Sequence, residues 1–599
     1  MERVGHTSRS WLAGLSTTTV LASALLVRYR LLRRRVTARG AANLAAIGLT
    51  PAEHETEAAL AATADTALTR WANDQLTALI ATHGHRGSHV EVVELSDDEI
   101  RVWWSPPITD PPLTGWSSDR AGRIWTHARD RATEPGRDAG EQAAAVPALV
   151  TIGRSDGHDV LVNLEAFGGV AIAGDPIRAE DLIRSIVLEL GAGGDLSNAV
   201  VHTIGLDVDG AEHLARVRTR AEADTRGHLE RLVATNTAML VDRDQPTMFD
   251  LRATAGAEGR EVLVITARAG ALVDPAGLLA LAPGERAVAV VVCGLNDTAA
   301  AAMITITADG TAVLSPVGLH LHAAGVPRRT AAQVAILFDH VASALTDPSL
   351  PVESEPLVVP TGDVAAPELL VRVFGVPRVD GFPVAVTELQ LLTYLACHGR
   401  AVNDDILGDR LWGGRYSRRE LWEIVARTRA SFGSLVEARD DAATTVTIAD
   451  TVITDVDWCK HLLARAHRTS DDQQAVAILD EALGLLLGEP FAAPGFEWAH
   501  LAGDGSYADA VAVIETVCSQ LATRAIALDD LDTARTSLTH GIRLLRVNEP
   551  LTQQLISLEH HAGDQDAAER VYHRLQSGLV ELADSLEVTP HAEIGRAHV

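Results

Sequence analysis

Four runs in the middle of the chain are apolar at nearly every position: "GGVAIAG" ending at Gly174, "AVVHTIG", "EVLVITA" over 261–267 and "AVAVVVCG" over 287–294. A strand with one wet face alternates polar and apolar residues. A strand without alternation is covered on both faces, and helices lying between such strands make a mainly parallel sheet. Helical stretches separate the runs, the first near 177–191, so residues 146–346 are predicted to form an α/β domain. "ALVTIG" and "DVLVNL" precede the first run, and "TITADGTAVL" follows the last as a hairpin turning at Asp309-Gly310. Upstream, 41–145 reads as a helix over 51–83, a strand pair "VEVVEL" and "IRVWW", and a polar loop near 105–145.

"VAIAGDPIRAEDLIRSIVLEL" has the strand, glycine, loop and helix order of a phosphate-binding loop. A working loop needs G-x-x-x-x-G-K-[ST], with the lysine on the phosphates and the hydroxyl on Mg²⁺. Counted from Gly174, those positions fall on Ala179, Glu180 and Asp181, and the strand "EVLVITARAG" carries Thr266 where an acidic metal holder is required. Lysine occurs once in the chain, at Lys460. The stretch resembles a degenerate P-loop domain of the DNA-translocase type, kept for its shape; the plainer alternative is an unrelated α/β domain. Nucleotide hydrolysis, a cofactor and a bound metal are not expected. His320 and His322 alternate on a strand with no Cys or acidic partner in view and are read as structural. Cys293, Cys397, Cys459 and Cys518 show no C-x-x-C spacing, which argues against a disulfide framework or structural zinc.

"WLAGLSTTTVLASALLV", residues 11–27, contains no charge and spans about 25 Å as a helix, near the ~30 Å of a hydrocarbon core. Arg28, Arg30, Arg33, Arg34, Arg35 and Arg39 follow it. A signal peptide carries its positive charges before the apolar run, whereas a flank of this kind after it marks the cytoplasmic side. Residues 1–40 are therefore predicted to be an anchor with a basic flank, a single span or the end of a multi-pass protein in the cell inner membrane, with the bulk of the chain cytoplasmic.

A formal net charge of −29 argues against non-specific coating of nucleic acid, so DNA contact requires a local basic patch. Residues 347–367 are rich in Pro, acidic and polar residues and read as a linker. In 368–458 the order is short strands turning at Asp380-Gly381, a helix "TELQLLTYLACHG" capped by Thr387, a helix "NDDILGDRLWGG" capped by Asn403, a third helix "SRRELWEIVARTRASFG", and an alternating stretch "TTVTIADTVITDVDW" that reads as a hairpin. That is the order of a winged helix-turn-helix. At 100° per residue Leu421, Ile424, Val425, Thr428 and Phe432 share one side of the third helix. Arg419 and Glu423 point away, Arg418, Trp422 and Arg429 line one flank, and Arg427 lies on the other. An arginine-bearing helix fits a major groove, and flanking arginines suit phosphates. Arg410, Arg415, Arg418, Arg419, Arg427 and Arg429 stand against Glu420 and Glu423 between 410 and 430, a local balance of +4, although 361–460 as a whole carries eleven basic and fifteen acidic residues. A solvated helix face is the bland alternative.

Residues 368–592 resemble the antibiotic-regulatory-protein family of bacterial transcriptional activators, which pair a winged helix with a bacterial transcriptional activator domain. The stretches that carry the likeness are "ELQLLTYLACHGRAVNDDILGDRLWG", "LWEIVARTRASFG" and "DVDWCKHLLARA". The resemblance implies promoter binding by the third helix and wing, and contact with RNA polymerase. It places the third-helix role on Arg418, Arg419, Trp422, Arg427 and Arg429; the candidate DNA-binding set also takes in Arg415 and Glu423, although Glu423 departs from the family pattern and either accepts from a cytosine or repels the backbone. The wing region departs from it in being acidic. With the anchor and degenerate α/β region, the chain also resembles large membrane-tethered regulators of actinobacteria.

Residues 459–592 are helical almost throughout, and "DLDTARTSLTHGIRLL" aligns with "DQDAAERVYHRLQSGL" at a spacing of 34, Asp532 on Asp566 and Ala534 on Ala568. That is the tetratricopeptide period. The last residues, 593–599, continue no helical pattern and match a frame of a sequencing adapter, so they are read as an artefactual tail. The sequence thus predicts a multidomain α/β plus α chain. Its expected function is that of a membrane-tethered, non-enzymatic transcriptional regulator, a homo-oligomer whose partners are double-stranded DNA and, through the repeats, RNA polymerase or itself. The alternative is a membrane-bound signalling scaffold whose winged helix and repeats bind proteins.

Overall fold

The computed structural model describes residues 18–40, 48–83, 88–108, 113–129, 144–194, 196–214, 216–255, 262–295, 300–346, 367–398, 401–412, 418–439, 445–501 and 504–584. They form two units, Met1–Tyr29 with Thr63–Phe338, and Arg30–Ala62 with Asp339–Val599.

The first unit is built on a 14-stranded sheet. Its parallel half runs, edge inward, Val217–Thr219, Ala199–Ile204, Val262–Arg268, Val288–Cys293, Gly169–Gly174 and Ala302–Ile306. The uninterrupted apolar runs are the inner strands, and every residue of Val288–Cys293 is buried. Beyond Ala302–Ile306 the sheet turns antiparallel, first through the hairpin to Thr311–Ser315, where Gly310 supplies the positive φ of +89° that the turn requires.

Two domain expectations need correction. The strand pair His89–Leu95 and Glu99–Ser105 is no separate module, because Val92 to Leu95 pair with Asp159 to Val162 and extend the same sheet. The stretch read as a loop near 105–145 contains a further hairpin, Trp116–Ser118 with Ile124–Ala128. Its cause is aromatic. Trp104 and Trp125 are both fully buried, edge to face at 6.0 Å, and a Trp pair of this kind fixes the strands that carry it. The helix predicted over 51–83 is two, Pro51–Thr63 and Thr66–His83, the second capped by Asp65, whose carboxylate accepts from the Leu68 N–H.

Glu189, on the helix Pro176–Ala192, is buried against the sheet and accepts from both the backbone N–H and the hydroxyl of Thr151, at 2.8 and 2.9 Å. Burial pushes its carboxyl up to about 8, against the pull of those two donors. An acid raised on folding keeps its proton in the folded chain after the unfolded chain has lost it. Its contribution is therefore full below the unfolded value and is lost as pH rises through the folded one. Glu189→Gln removes the ionisation and keeps the acceptor. Scanning calorimetry should give this variant the higher melting temperature near pH 9 and little difference near pH 3, each about a unit or more outside the titration window. Parallel pH profiles for the two proteins would contradict the assignment.

The membrane expectation also meets a different arrangement. Residues 1–17 lie outside the described residues, and the remainder of the run enters a helix, Thr19–Ala38. Within the first unit its Leu21, Leu25 and Leu26 are at most 2% exposed, Tyr29 packs edge-on to Phe338, and Arg28 donates to the His213 carbonyl. In the second unit Arg34 pairs with Glu489 at 2.8 Å, and Arg33 donates to the His500 carbonyl. Five arginines within the helix keep it from being apolar enough to span a bilayer. Among the described residues the helix that has the length and apolarity is Ser506–Ala527, and it is a core helix, with Val511, Ile514, Val517 and Leu521 fully buried.

Among the described residues the C-terminal part of the second unit holds six α-helices, Asp455–Arg468, Asp472–Leu483, Ser506–Ala527, Leu531–Leu545, Glu549–His561 and Gln565–Asp584. Local sequence sets their starts: Thr454, Asp471, Asp530 and Asn548 each cap a helix through the side chain. Leu531 and Gln565 open helices 34 residues apart, and Ala534 and Ala568 are both buried. Gly541 shows why small residues matter here, since a Cβ there would sit 2.7 Å from Leu551 and 2.8 Å from the Cys518 sulfur. Arg535 and Glu559 tie two helices with a bidentate pair, at 2.6 and 2.9 Å.

Candidate nucleic-acid interface

Residues 369–454 of the second unit supply two small sheets and three helices. Leu369–Arg372 pairs antiparallel with Arg378–Val379 and parallel with Val452–Thr454. Ala401–Asn403, Thr445–Ile448 and Val436–Arg439 form the other sheet. The hairpin expected within "TTVTIADTVITDVDW" is therefore divided between the two sheets. A tight turn, Val452 N–H to Ala449 carbonyl at 3.0 Å, redirects the chain so that its second half pairs with Leu369–Val371 instead. The helices are Val386–His398, Asp404–Trp412 and Arg418–Phe432. Thr387 lies inside the first, not at its cap, and Asn403 closes the strand before the second.

The third helix buries Leu421, Ile424, Val425, Thr428 and Phe432, the face that the helical period assigns. What lies on its other sides is less simple than an array of free cations. Arg418 donates through Nε to Asp404 Oδ2 at 2.9 Å, and Trp422 donates its indole N–H to the same oxygen at 3.2 Å. The Asp404 side chain is 1% exposed. Arg427 pairs with Glu388 at 3.1 Å, and that carboxylate is 9% exposed. Two nearly buried acids on the first two helices thus hold the third helix in place and neutralise part of its charge.

All four described arginines of the helix reach solvent, but Arg418 and Arg427 are held by buried acids, which leaves Arg419 and Arg429 the least engaged. The Arg419 side chain is 87% exposed and touches Glu423 at 3.0 Å, an (i, i+4) pair so open to water that it holds the guanidinium weakly. Arg429 is exposed and makes no ion pair among the described residues. Trp422 is half-buried, with its donor already engaged. Arg415 lies outside the described residues. Sequence reasoning missed Asp404 and Glu388 as anchors. Their signal was present in "NDD" and "TEL", since an acid on an otherwise packed helix needs a cation, but the partners are 14 and 39 residues away.

Residues 454–599 match the family model of the bacterial transcriptional activator domain. This part of the chain is such a domain. The match opens at Thr454, the cap of the helix Asp455–Arg468, where the activator domain joins the strands before the three helices. Asp455 is buried and accepts from the N–H groups of Val373 and Phe374 at 2.9 and 3.3 Å, and burial pushes its carboxyl up to about 7. Gln390 of the first helix donates to the Gly495 carbonyl at 2.9 Å and accepts from the Trp412 indole at 2.7 Å. His398 pairs with Asp504 at 2.7 Å and stacks on Tyr394, which in turn meets Trp498. The three-helix segment and the activator domain are therefore packed as one body.

No curated protein matches the chain. Among solved structures it is similar to Mycobacterium tuberculosis EmbR in complex with a low-affinity phosphopeptide, at 21% identity and a TM-score of 0.29 over 38% of this chain and 62% of that one. It is also similar to the cytoplasmic domain of the Thermomonospora curvata type VII secretion ATPase EccC, at 15% identity and a TM-score of 0.26 over 55% of this chain and 44% of that one. The chain spans less than two thirds of either.

The P-loop-like turn has its backbone donors already taken. Gly174 has φ +98°, and a Cβ there would meet the Ile306 carbonyl at 2.0 Å, so glycine is required by close backbone approach. The two N–H groups that open the following helix, Ile177 and Arg178, are taken at 3.1 and 3.0 Å by the carboxylate of Asp175. A phosphate would need those same donors. Glu180, at the lysine position, pairs with Arg268 at 2.9 Å. Among the described residues no group of three His, Cys, Asp or Glu could hold a metal.

Proposed function

We propose that the chain is a transcriptional regulator that binds promoter DNA through a winged helix over 368–458, with Arg419 and Arg429 entering or flanking the groove. The exposed edge of Arg418–Phe432 carries this reading. It is a packed helix with its apolar face inward, its position fixed by two buried acids, and two exposed arginines, Arg419 and Arg429, that no buried acid holds. A helix of that width fits the major groove, where arginine reads guanine and flanking cations meet phosphates. The activator domain behind it, with helices recurring at the tetratricopeptide spacing, supplies the surface for RNA polymerase or for a second copy of the chain. The α/β unit acts without hydrolysing nucleotide, because Asp175 occupies the donors a phosphate needs. No enzymatic step is assigned to the chain.

Genomic fragments captured by the full chain should shift in a gel at low salt and release as salt rises. A membrane-bound scaffold using the same helices for protein contacts predicts no shift at any salt, and that result would remove the regulator reading. Attachment to the cell inner membrane through 11–27 is a separate proposal, supported by the uncharged run and the arginines after it. It requires Thr19–Ala38 to leave the buried place described above. Retention of the full chain in the membrane pellet after alkaline extraction supports attachment, and complete release counts against it.

A further inference from the structure

The outer edge of the parallel sheet gathers cations. Val217–Thr219 is the edge strand, and it pairs in parallel with Ala199–Ile204 so that Arg218 stands beside His202 on one face. Side chains two apart on a strand share a face, so Arg220, whose N–H bonds to the Thr203 carbonyl at 3.0 Å, continues the row. The helix Glu222–Asp242 covers the same face, with Leu229 in the core cluster beside Ile204, and it brings His228 over His202 with ring centroids 5.5 Å apart.

Arg218, Arg220 and His228 are exposed, and neither arginine makes an ion pair among the described residues. What sets the two apart is their place, side by side on one sheet edge above a buried histidine. His202 is 6% exposed, and its Nδ1 is buried with no hydrogen-bond partner. Glu222, two residues past Arg220, is engaged elsewhere, by the Val273 N–H at 2.7 Å and by Arg226. Burial together with His228, Arg220 and Arg218 holds His202 down to about 4, and no anion opposes them. The cluster is a positive field without its counter-charge.

We propose that this edge is an anion site for a phosphate-bearing ligand, with Arg218 and Arg220 as the clamp, His228 at the rim and His202 beneath. Two arginines whose Cα atoms stand about 7 Å apart along an extended segment suit a ligand with more than one phosphate oxyanion, such as a diphosphate, better than a single carboxylate. The site stands away from the P-loop-like turn, with Val288–Cys293 and Val262–Arg268 lying between Gly169–Gly174, the strand that carries the turn, and Ala199–Ile204. Phosphate is therefore refused where the fold would ordinarily hold it and accepted at the sheet edge.

The test uses the full chain, titrated with inorganic pyrophosphate by calorimetry at low salt. One site is expected, weakened about tenfold or more in Arg218→Gln/Arg220→Gln, as two charge-assisted hydrogen bonds are lost. A variant of equal net charge, Arg178→Gln/Arg329→Gln, controls for overall electrostatics and should bind as the wild type does. Both control positions are exposed, as are Arg218 and Arg220, so all four substitutions leave the core intact. Absence of binding by the wild type, or equal loss in the site and control variants, overturns the proposal. Phosphatidylglycerol vesicles distinguish the sources of phosphate. Vesicle binding abolished by Arg218→Gln/Arg220→Gln supports a lipid headgroup as ligand, and pyrophosphate binding without vesicle binding supports a soluble diphosphate.

Discussion

Alanine at Asp404 is expected to loosen the third helix and to abolish DNA binding together. The carboxylate accepts Arg418 Nε and the Trp422 indole N–H on one oxygen and is almost wholly buried. Its removal leaves the indole donor without a partner and releases the Arg418 guanidinium. Hydrogen bonds to a charged group contribute about 1.5–3 kcal/mol each, and losing both should cost about 2–4 kcal/mol after partial re-solvation of the exposed arginine. For a body of this size that lowers the melting temperature by roughly 5–15 °C. Asp404→Asn should be milder, because one acceptor oxygen remains. Calorimetry showing wild-type stability for Asp404→Ala would mean that the pair is a surface contact and not an anchor.

The second large effect separates binding from folding. Arg419→Ala/Arg429→Ala removes two exposed cations and no buried contact, so the melting temperature should stay within about 1 °C of wild type, as for most surface substitutions. Promoter affinity should fall by about 30- to 700-fold, with about 1–2 kcal/mol for each arginine–phosphate or arginine–guanine contact. Arg427→Ala should behave differently. Its partner Glu388 is 9% exposed, so the variant loses stability as well as affinity. Three arginines on one helix are thus expected to sort into one class that reads DNA and one that also holds the helix.

Periodicity made much of this fold legible. Uninterrupted apolar runs located the inner strands, since a residue such as Val290 has no wet side on which to show polarity. The inward face of the third helix followed from 100° spacing alone. What local pattern cannot carry is partnership across the chain. The stretch 445–454 alternates correctly for strands, yet its halves join different sheets, because pairing with Leu369–Val371 depends on residues about 80 positions earlier. The apolar run before Arg28 satisfies the arithmetic of a membrane span, while the packing of Leu21, Leu25 and Leu26 against protein depends on the surrounding elements. At the candidate interface the arginines were visible and their neutralising acids were not. Asp404 and Glu388 read as ordinary helix residues until the fold sets them beside Arg418 and Arg427. The cations at Arg218 and Arg220 were equally visible, but they gain meaning only from the edge position of their strand and from His202 beneath it.

The central claim is that exposed arginines on a rigidly seated helix neutralise DNA phosphate or read base edges. The most direct measurement is the dependence of promoter affinity on salt for the wild type and for Arg419→Ala/Arg429→Ala, from about 50 to 200 mM. Log affinity should fall linearly with log salt in the wild type, and the double variant should bind more weakly with a slope reduced by about 1 to 2, according to how many of the two contacts are to phosphate. Identical affinities and slopes for the two proteins would contradict the account.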